Sequence, residues 1–213
     1  QVTDDAAVAV RGADLIYLAA PVATIPDLLE VVAPEVKLGA TVTDAGSLKA
    51  DICRKGLHLL PASFIGGHPM AGSEKSGVGS ARPDLFENRT YLLTPQDADE
   101  ELLQRFTAFV NALGARSVVT TPEEHDRLVA YSSHLPHLWA AALALGLAEA
   151  PAAPQMATFA GNGLRDTTRI AASDPELWRD ILLGNRQNVL QACRQAEGAW
   201  RRLADLLERT DGD

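Results

Sequence analysis

Cysteine, aromatic side chains, long apolar runs and positive charge are all scarce in this chain. Its 213 residues hold two cysteines, Cys53 and Cys193, far apart and in no metal-ligand spacing. That excludes a disulfide scaffold and a cysteine-based zinc site, and it reads as reduced thiols in the cytoplasm. No apolar run reaches the roughly 20 residues of a membrane helix, and the N-terminus lacks the basic-then-apolar layout of a signal peptide. Nineteen Lys and Arg face 28 Asp and Glu, for a net charge of −9. Nucleic acid is therefore not an expected partner. An anionic substrate needs a local basic cluster set against the overall field.

Another absence concerns a motif. A dinucleotide-binding α/β domain opens with a strand, a Gly-x-Gly-x-x-Gly turn and a helix. Gly12 is the only glycine ahead of Leu15, and the first residues have helical character. The sheet is expected to begin here at its middle.

What is there suits a folded protein, with 46% hydrophobic residues. From Val2 to about Thr120, short apolar runs alternate with helical stretches. The expected strands are Leu15–Ala19, Thr41–Asp44, Phe64–Gly67, Tyr91–Leu93 and Ser117–Val119. The helices between them are expected near Ile25–Val32, Leu48–Lys55 and Glu100–Leu113. This alternation reads as a mostly parallel sheet with crossover helices. After Thr120 the strand signals stop. Thr121-Pro122-Glu123-Glu124 joins a cap residue to a proline at the first helical position, and Ser173-Asp174-Pro175-Glu176 opens a long amphipathic helix towards Leu207. Glu149–Pro154 reads as a loop between helices. Two domains follow: α/β over residues 1–121 and all-α over 122–213.

Residues 66–77, Gly-Gly-His-Pro-Met-Ala-Gly-Ser-Glu-Lys-Ser-Gly, are the most informative stretch. So much glycine and proline disfavours regular structure, and the apolar run before it places His68 just past a strand end. Ligands bind at that edge of an open α/β sheet, and an imidazole there suits acid/base work. Ser47, in Thr43-Asp44-Ala45-Gly46-Ser47-Leu48-Lys49, falls at the expected start of a helix. It reads as an N-cap, or as a serine that orients a nearby imidazole. His125, His134 and His137 lie on the first helix of the second domain, where Pro136 is expected to kink it. They read as substrate or interface hydrogen-bonding groups or as satisfied core histidines; no metal site is expected, since no His-Glu-x-x-His occurs. Arg165 and Arg169 share a helical face in Gly-Asn-Gly-Leu-Arg-Asp-Thr-Thr-Arg, which suits carboxylate recognition or a solvated surface. Trp178 is either an aromatic wall of the site or a core residue.

With these motifs in hand, the chain resembles the prephenate/arogenate dehydrogenases of tyrosine biosynthesis, the TyrA family. The match runs from about Asp14 to Asn188. It rests on Thr43-Asp44-x-Gly46-Ser47-x-Lys49, the Gly66–Gly77 stretch, His125-Asp126, Ser133-His134-Leu135-Pro136-His137 and Arg165-Asp166-Thr167-Thr168-Arg169 occurring in this order.

The resemblance implies a partial Rossmann-type parallel sheet domain followed by a helical domain that forms a homodimer. It implies NAD- or NADP-dependent oxidative decarboxylation of prephenate, or of arogenate. In that scheme His68 accepts the proton of the substrate's 4-hydroxyl and Ser47 positions both. Arg169 binds a substrate carboxylate, with Arg165, Ser73, Glu74, His137 and Trp178 around the substrate. Ala20, Pro21, Asp44, Gly46 and Ser47 line the nicotinamide half of the crevice. Without the glycine-rich turn, the residues from Gln1 onward are expected to hold the cofactor too weakly for turnover. A catalytically silent dimer module of the same family is the alternative. A ketopantoate-type reductase is disfavoured because Lys49, Lys55 and Lys75 all lie in the first domain.

Overall fold

The structure is a computed structural model that describes residues 2–72, 77–151 and 153–209. Contacts divide the chain into two compact units. One comprises the residues up to Asp126 together with Pro175–Gly184; the other comprises Arg127–Asp174 and the residues from Asn185 onward.

In the first unit a short helix α1 (Ala6–Val10), capped by the Asp5 carboxylate, precedes strand β1 (Leu15–Leu18). Then come α2 (Ile25–Val32), β2 (Thr41–Asp44), α3 (Ala50–Leu59), β3 (Phe64–Pro69), β4 (Thr90–Thr94), α4 (Glu100–Ala112) and β5 (Arg116–Val119). Among the described residues the strands form one sheet in sequence order, β1-β2-β3-β4-β5. All neighbours run parallel except β3 and β4, which are antiparallel.

The two faces of the sheet bury different sets of residues. Ile25, Leu29 and Val32 recur at helical spacing on α2 and pack with Ile16, Leu18, Val42 and Phe64 of the strands and Ile52 of α3. On the other set, Ile65, Tyr91 and Leu93 pack with Phe106 and Val110 of α4. A sheet covered this way has strands buried along their whole length, as β2 and β3 are. Ile181 of α9 (Pro175–Gly184) joins the first core, and half-buried Trp178 packs against it.

The second unit is helical. Helix α5 (Pro122–Val129), whose residues up to Asp126 belong to the first unit, starts where the Thr121 hydroxyl accepts the Glu124 N–H at 3.2 Å. A π-helical turn, Ala130–His134, leads into α6 (Leu135–Glu149). Then come α7 (Ala153–Phe159), α8 (Asn162–Thr168) and α10 (Arg186–Arg209). Trp139 and Trp200 stand with ring centroids 5.7 Å apart. Leu203, Leu206 and Leu207 of α10 remain exposed.

Three local expectations are corrected, and the disturbance expected at Pro136 takes a definite form. Strand β3 does not stop at Gly67 but continues through His68 and Pro69, with His68 opposite Leu92 of β4. Its glycines serve close approach. A Cβ on Gly66 would lie 2.2 Å from Thr94 Oγ1 and 2.6 Å from Cys53 Sγ, and one on Gly67 would lie 2.5 Å from the Asp44 carbonyl oxygen. Helix α3 begins at Ala50, not Leu48, so Ser47 is not its cap. The π-helical turn precedes Pro136, whose missing N–H cannot close the usual bond four residues back, so the ladder widens there. Finally, the single helix expected from Pro175 to Leu207 is two, parted at Asn185. There the side-chain Nδ2 lies 3.2 Å from His134 Nδ1, and Asn188 donates to Oδ1 at 2.8 Å.

Candidate active site

The turns after β1 and β2 emerge side by side, because these strands are paired in parallel from Leu15 with Thr41 to Leu18 with Asp44. The Ala45 N–H donates to the Leu18 carbonyl at 3.1 Å, tying the two ends together. Ala20 and Pro21 lie on the first turn, and Gly46 and Ser47 on the second; Ala20 and Ser47 are half-buried and Pro21 is exposed. This is the carboxyl edge of the parallel strands, where open α/β sheets bind ligands.

Asp44 shapes that edge from inside. Its side chain is fully buried; Oδ2 accepts the Gly46 N–H at 2.8 Å and Oδ1 the Gly67 N–H at 3.1 Å. The Lys49 ammonium, also fully buried, pairs with Oδ2. A Cβ on Gly46 would sit 2.9 Å from Asp44 Oδ2, from Ile25 and from Ile52, so the turn must be glycine to fold over its carboxylate. In the sequence Lys49 stands within a motif with no evident role of its own. Its spacing from Asp44 crosses a turn and matches no helical pairing.

A hydrogen-bonded row of side chains runs from β3 to α5. His68 Nδ1 lies 2.8 Å from His125 Nε2, with the rings tilted 57° and 5.0 Å apart. His125 Nδ1 lies 2.8 Å from Asp126 Oδ1. Asp126 also accepts the Lys49 N–H at 2.8 Å on Oδ1 and the Ala50 N–H at 2.9 Å on Oδ2. It thereby caps α3 from 76 residues away, the task expected of Ser47. Burial pushes the Asp126 carboxyl up, but the bonds from His125 and from the Ala50 and Lys49 N–H groups outweigh it, so its pKa falls below the ordinary value. All three side chains are nearly inaccessible, at 9%, 1% and 4% exposure for His68, His125 and Asp126.

The other expected residues stand elsewhere. Arg165 lies on α8, and Arg169 begins the 3-10 turn after it; the Arg169 N–H donates to the Arg165 carbonyl and both side chains are exposed. His137 is buried on α6, which lowers its pKa. Trp178 is on α9. Ser73 and Glu74 lie outside the described residues. The Cys53 thiol is pushed up to about 12, chiefly by burial, and is chemically quiet. Among the described residues no group of three or more His, Cys, Asp or Glu could hold a metal ion. No described helix is long and apolar enough to cross a membrane.

Comparison with known proteins decides the family. Residues 1–119 match "Prephenate dehydrogenase, nucleotide-binding domain", and residues 121–213 match "Prephenate dehydrogenase, dimerization domain". The chain belongs to the prephenate dehydrogenase family. It is 39% identical over 186 residues to the prephenate dehydrogenase of Bacillus subtilis, covering 85% of this chain and 50% of that protein. The chain thus spans about half the length of that relative. Among solved structures, prephenate dehydrogenase from A. aeolicus in complex with hydroxyphenyl propionate and NAD+ aligns with a TM-score of 0.90 and 34% identity. That alignment covers 100% of this chain and 75% of the other. Synechocystis arogenate dehydrogenase aligns with a TM-score of 0.85 and 31% identity, over 99% and 76%. The mostly parallel sheet read from the strand–helix alternation, and the Rossmann-type domain followed by helices that the resemblance implied, agree with these relatives.

Proposed function

We propose that the gene product carrying this chain is an NAD(P)-dependent prephenate dehydrogenase acting in tyrosine biosynthesis in the cytoplasm. The reaction is oxidative decarboxylation of prephenate to 4-hydroxyphenylpyruvate. The observation that carries this reading is His68, held at 2.8 Å by His125 at the carboxyl edge of the sheet, in a chain whose two parts match the family's two domains. The boundary near residue 121 then separates cofactor binding from substrate binding and dimerisation.

The chemistry asked of the protein is modest. The nicotinamide, when bound, accepts hydride from the ring carbon that bears the 4-hydroxyl; carbon dioxide leaves and the ring becomes aromatic. His68 takes the hydroxyl proton as hydride leaves and returns it to that oxygen when carbon dioxide departs and the ring becomes aromatic. A neutral imidazole, with an ordinary pKa of about 6.5, is a competent base near neutral pH. Ser47, on the adjacent turn, orients the hydroxyl. Arg169 binds a substrate carboxylate, with Arg165, Ser73, Glu74, His137 and Trp178 also assigned to substrate. Ala20, Pro21, Asp44, Gly46 and Ser47 serve the nicotinamide half of the cofactor, which fits two side-by-side turns with a glycine at their crossing. Aromatisation drives the step, so positioning is the protein's main contribution.

Arogenate is the second substrate to consider, because a structure at 31% identity is that of an arogenate dehydrogenase. The helical unit serves as a homodimer surface, supported by exposed Trp200, Leu203, Leu206 and Leu207 on α10. The test is to express the gene product and follow reduced nicotinamide with each substrate and with NAD+ and NADP+. Turnover of prephenate is expected. Turnover of neither compound overturns the reading, and a strong preference for arogenate replaces the substrate.

A further inference from the structure

The His68–His125–Asp126 row does more than fill space. Proton bookkeeping along it assigns a tautomer. Asp126 accepts two backbone N–H groups, from Lys49 and Ala50, which can only donate. An acceptor so used is the ionised carboxylate, in keeping with its lowered pKa. The proton shared with His125 therefore sits on the histidine, and His125 Nδ1–H donates to Asp126 Oδ1 at 2.8 Å. A neutral imidazole carries one N–H, so His125 Nε2 is left with a lone pair. The proton in its 2.8 Å contact with His68 must then be on His68 Nδ1.

From this geometry we infer that His125 and Asp126 are positioning residues that hold neutral His68 as its Nδ1–H tautomer, leaving Nε2 as the basic nitrogen. The inference rests on the reading of His68 as the base and adds what makes one of its nitrogens basic. An imidazole free to choose spends part of its time with the proton on Nε2, where it cannot accept another. Two consequences follow for the proton taken from substrate. It arrives at Nε2, giving a His68 imidazolium whose Nδ1–H remains bonded to His125. That positive charge is then compensated, through one imidazole, by a buried carboxylate that the N-terminus of α3 keeps ionised. The same carboxylate caps α3, so the row is anchored to the turn that carries Ser47.

A different charge state would reverse the assignment. If His125 were an imidazolium paired with Asp126, its Nε2–H would donate to His68 Nδ1, and His68 would hold its proton on Nε2. The two arrangements have distinct nitrogen spectra. The decisive experiment is 15N NMR of histidine-labelled residues 1–213 at about pH 8.5, above the ordinary histidine pKa of about 6.5. His68 is assigned by its loss in His68→Asn.

The expected spectrum has a pyrrole-like Nδ1 and a pyridine-like Nε2 for His68. The pattern should persist in His125→Gln, whose amide oxygen can accept from His68 while its nitrogen donates to Asp126. It should become a tautomer mixture in His125→Leu. A pyridine-like Nδ1 on His68 in the wild-type chain overturns the inference, as does an unchanged pattern in a His125→Leu variant that melts normally. Activity supplies an independent arm. In the gene product, His125→Leu is expected to lower kcat about 10–100-fold with KM held within about threefold, and His125→Gln to restore most of it. Equal losses in both variants, or a loss confined to KM, would mean a structural role only. The spectra require no turnover, so absence of dehydrogenase activity would sink the functional reading without touching the tautomer.

Discussion

Replacing Lys49 with methionine should destabilise the sheet unit severely, although Lys49 is a charged residue and methionine a good core filler. Lys49 and Asp44 are both fully buried, and their pairing is the one hydrogen bond of the Lys49 ammonium among the described contacts. Lys49→Met leaves the Asp44 carboxylate buried with only the Gly46 and Gly67 N–H groups for compensation. Breaking a buried pair by removing one partner costs about 3–5 kcal/mol. The two surviving N–H donors place this variant near the lower end, about 3 kcal/mol. Asp44→Ala should be worse, because it strands the ammonium and orphans both N–H groups. At roughly 2–4 °C per kcal/mol for a chain of this size, Lys49→Met should melt about 6–12 °C early. Asp44→Asn with Lys49→Met removes both charges and should recover part of the loss. Scanning calorimetry of the four proteins measures this. A Lys49→Met protein that melts within about 2 °C of wild type, or an Asp44→Ala protein more stable than Lys49→Met, would refute the reasoning.

The Asp126 carboxyl has a folded pKa below its unfolded one. Its contribution to stability is therefore complete above the unfolded value of about 3.9 and is lost as pH falls through the folded value. Urea midpoints from about pH 7 to 2.5 should fall less steeply for Asp126→Asn than for wild type across that acid window; parallel curves would contradict the assignment. Arg169→Ala should raise KM about 10–100-fold, or about 1.4–2.8 kcal/mol, in steady-state assays with prephenate. A loss wholly in kcat would place that arginine in the transition state instead. Light scattering at micromolar concentration should give twice the monomer mass, and Trp200→Glu with Leu203→Glu should halve it; a wild-type monomer would remove the dimer.

Elements fixed by local chemistry were legible in the sequence. Strand β2 and helix α2 fall where alternation and spacing put them, and Thr121 caps α5 as its spacing with Pro122 suggested. Legibility ended where a residue answers to something distant. The strand expected to stop at Gly67, where glycine and proline disfavour regular structure, runs on through His68 and Pro69. Its Gly66 and Gly67 are made small by Thr94, Cys53 and Asp44. Ser47 reads as a cap or as a serine that orients an imidazole, but the carboxylate that caps α3 is Asp126, 76 residues beyond Ala50. His125 reads only as a hydrogen-bonding or satisfied core histidine, since nothing local says that its imidazole meets one 57 residues earlier. The helix break at Asn185 depends in the same way on His134.

His68 is the proposed base of the reaction. The most direct test is His68→Asn in the gene product, with kcat and KM for prephenate measured by reduced nicotinamide formation and folding checked by thermal melting. The kcat is expected to fall about 10²–10⁴-fold while KM stays within a few-fold, because the proposed proton acceptor is lost but the proposed carboxylate-binding residues remain. A folded His68→Asn protein that keeps the wild-type kcat would contradict that role.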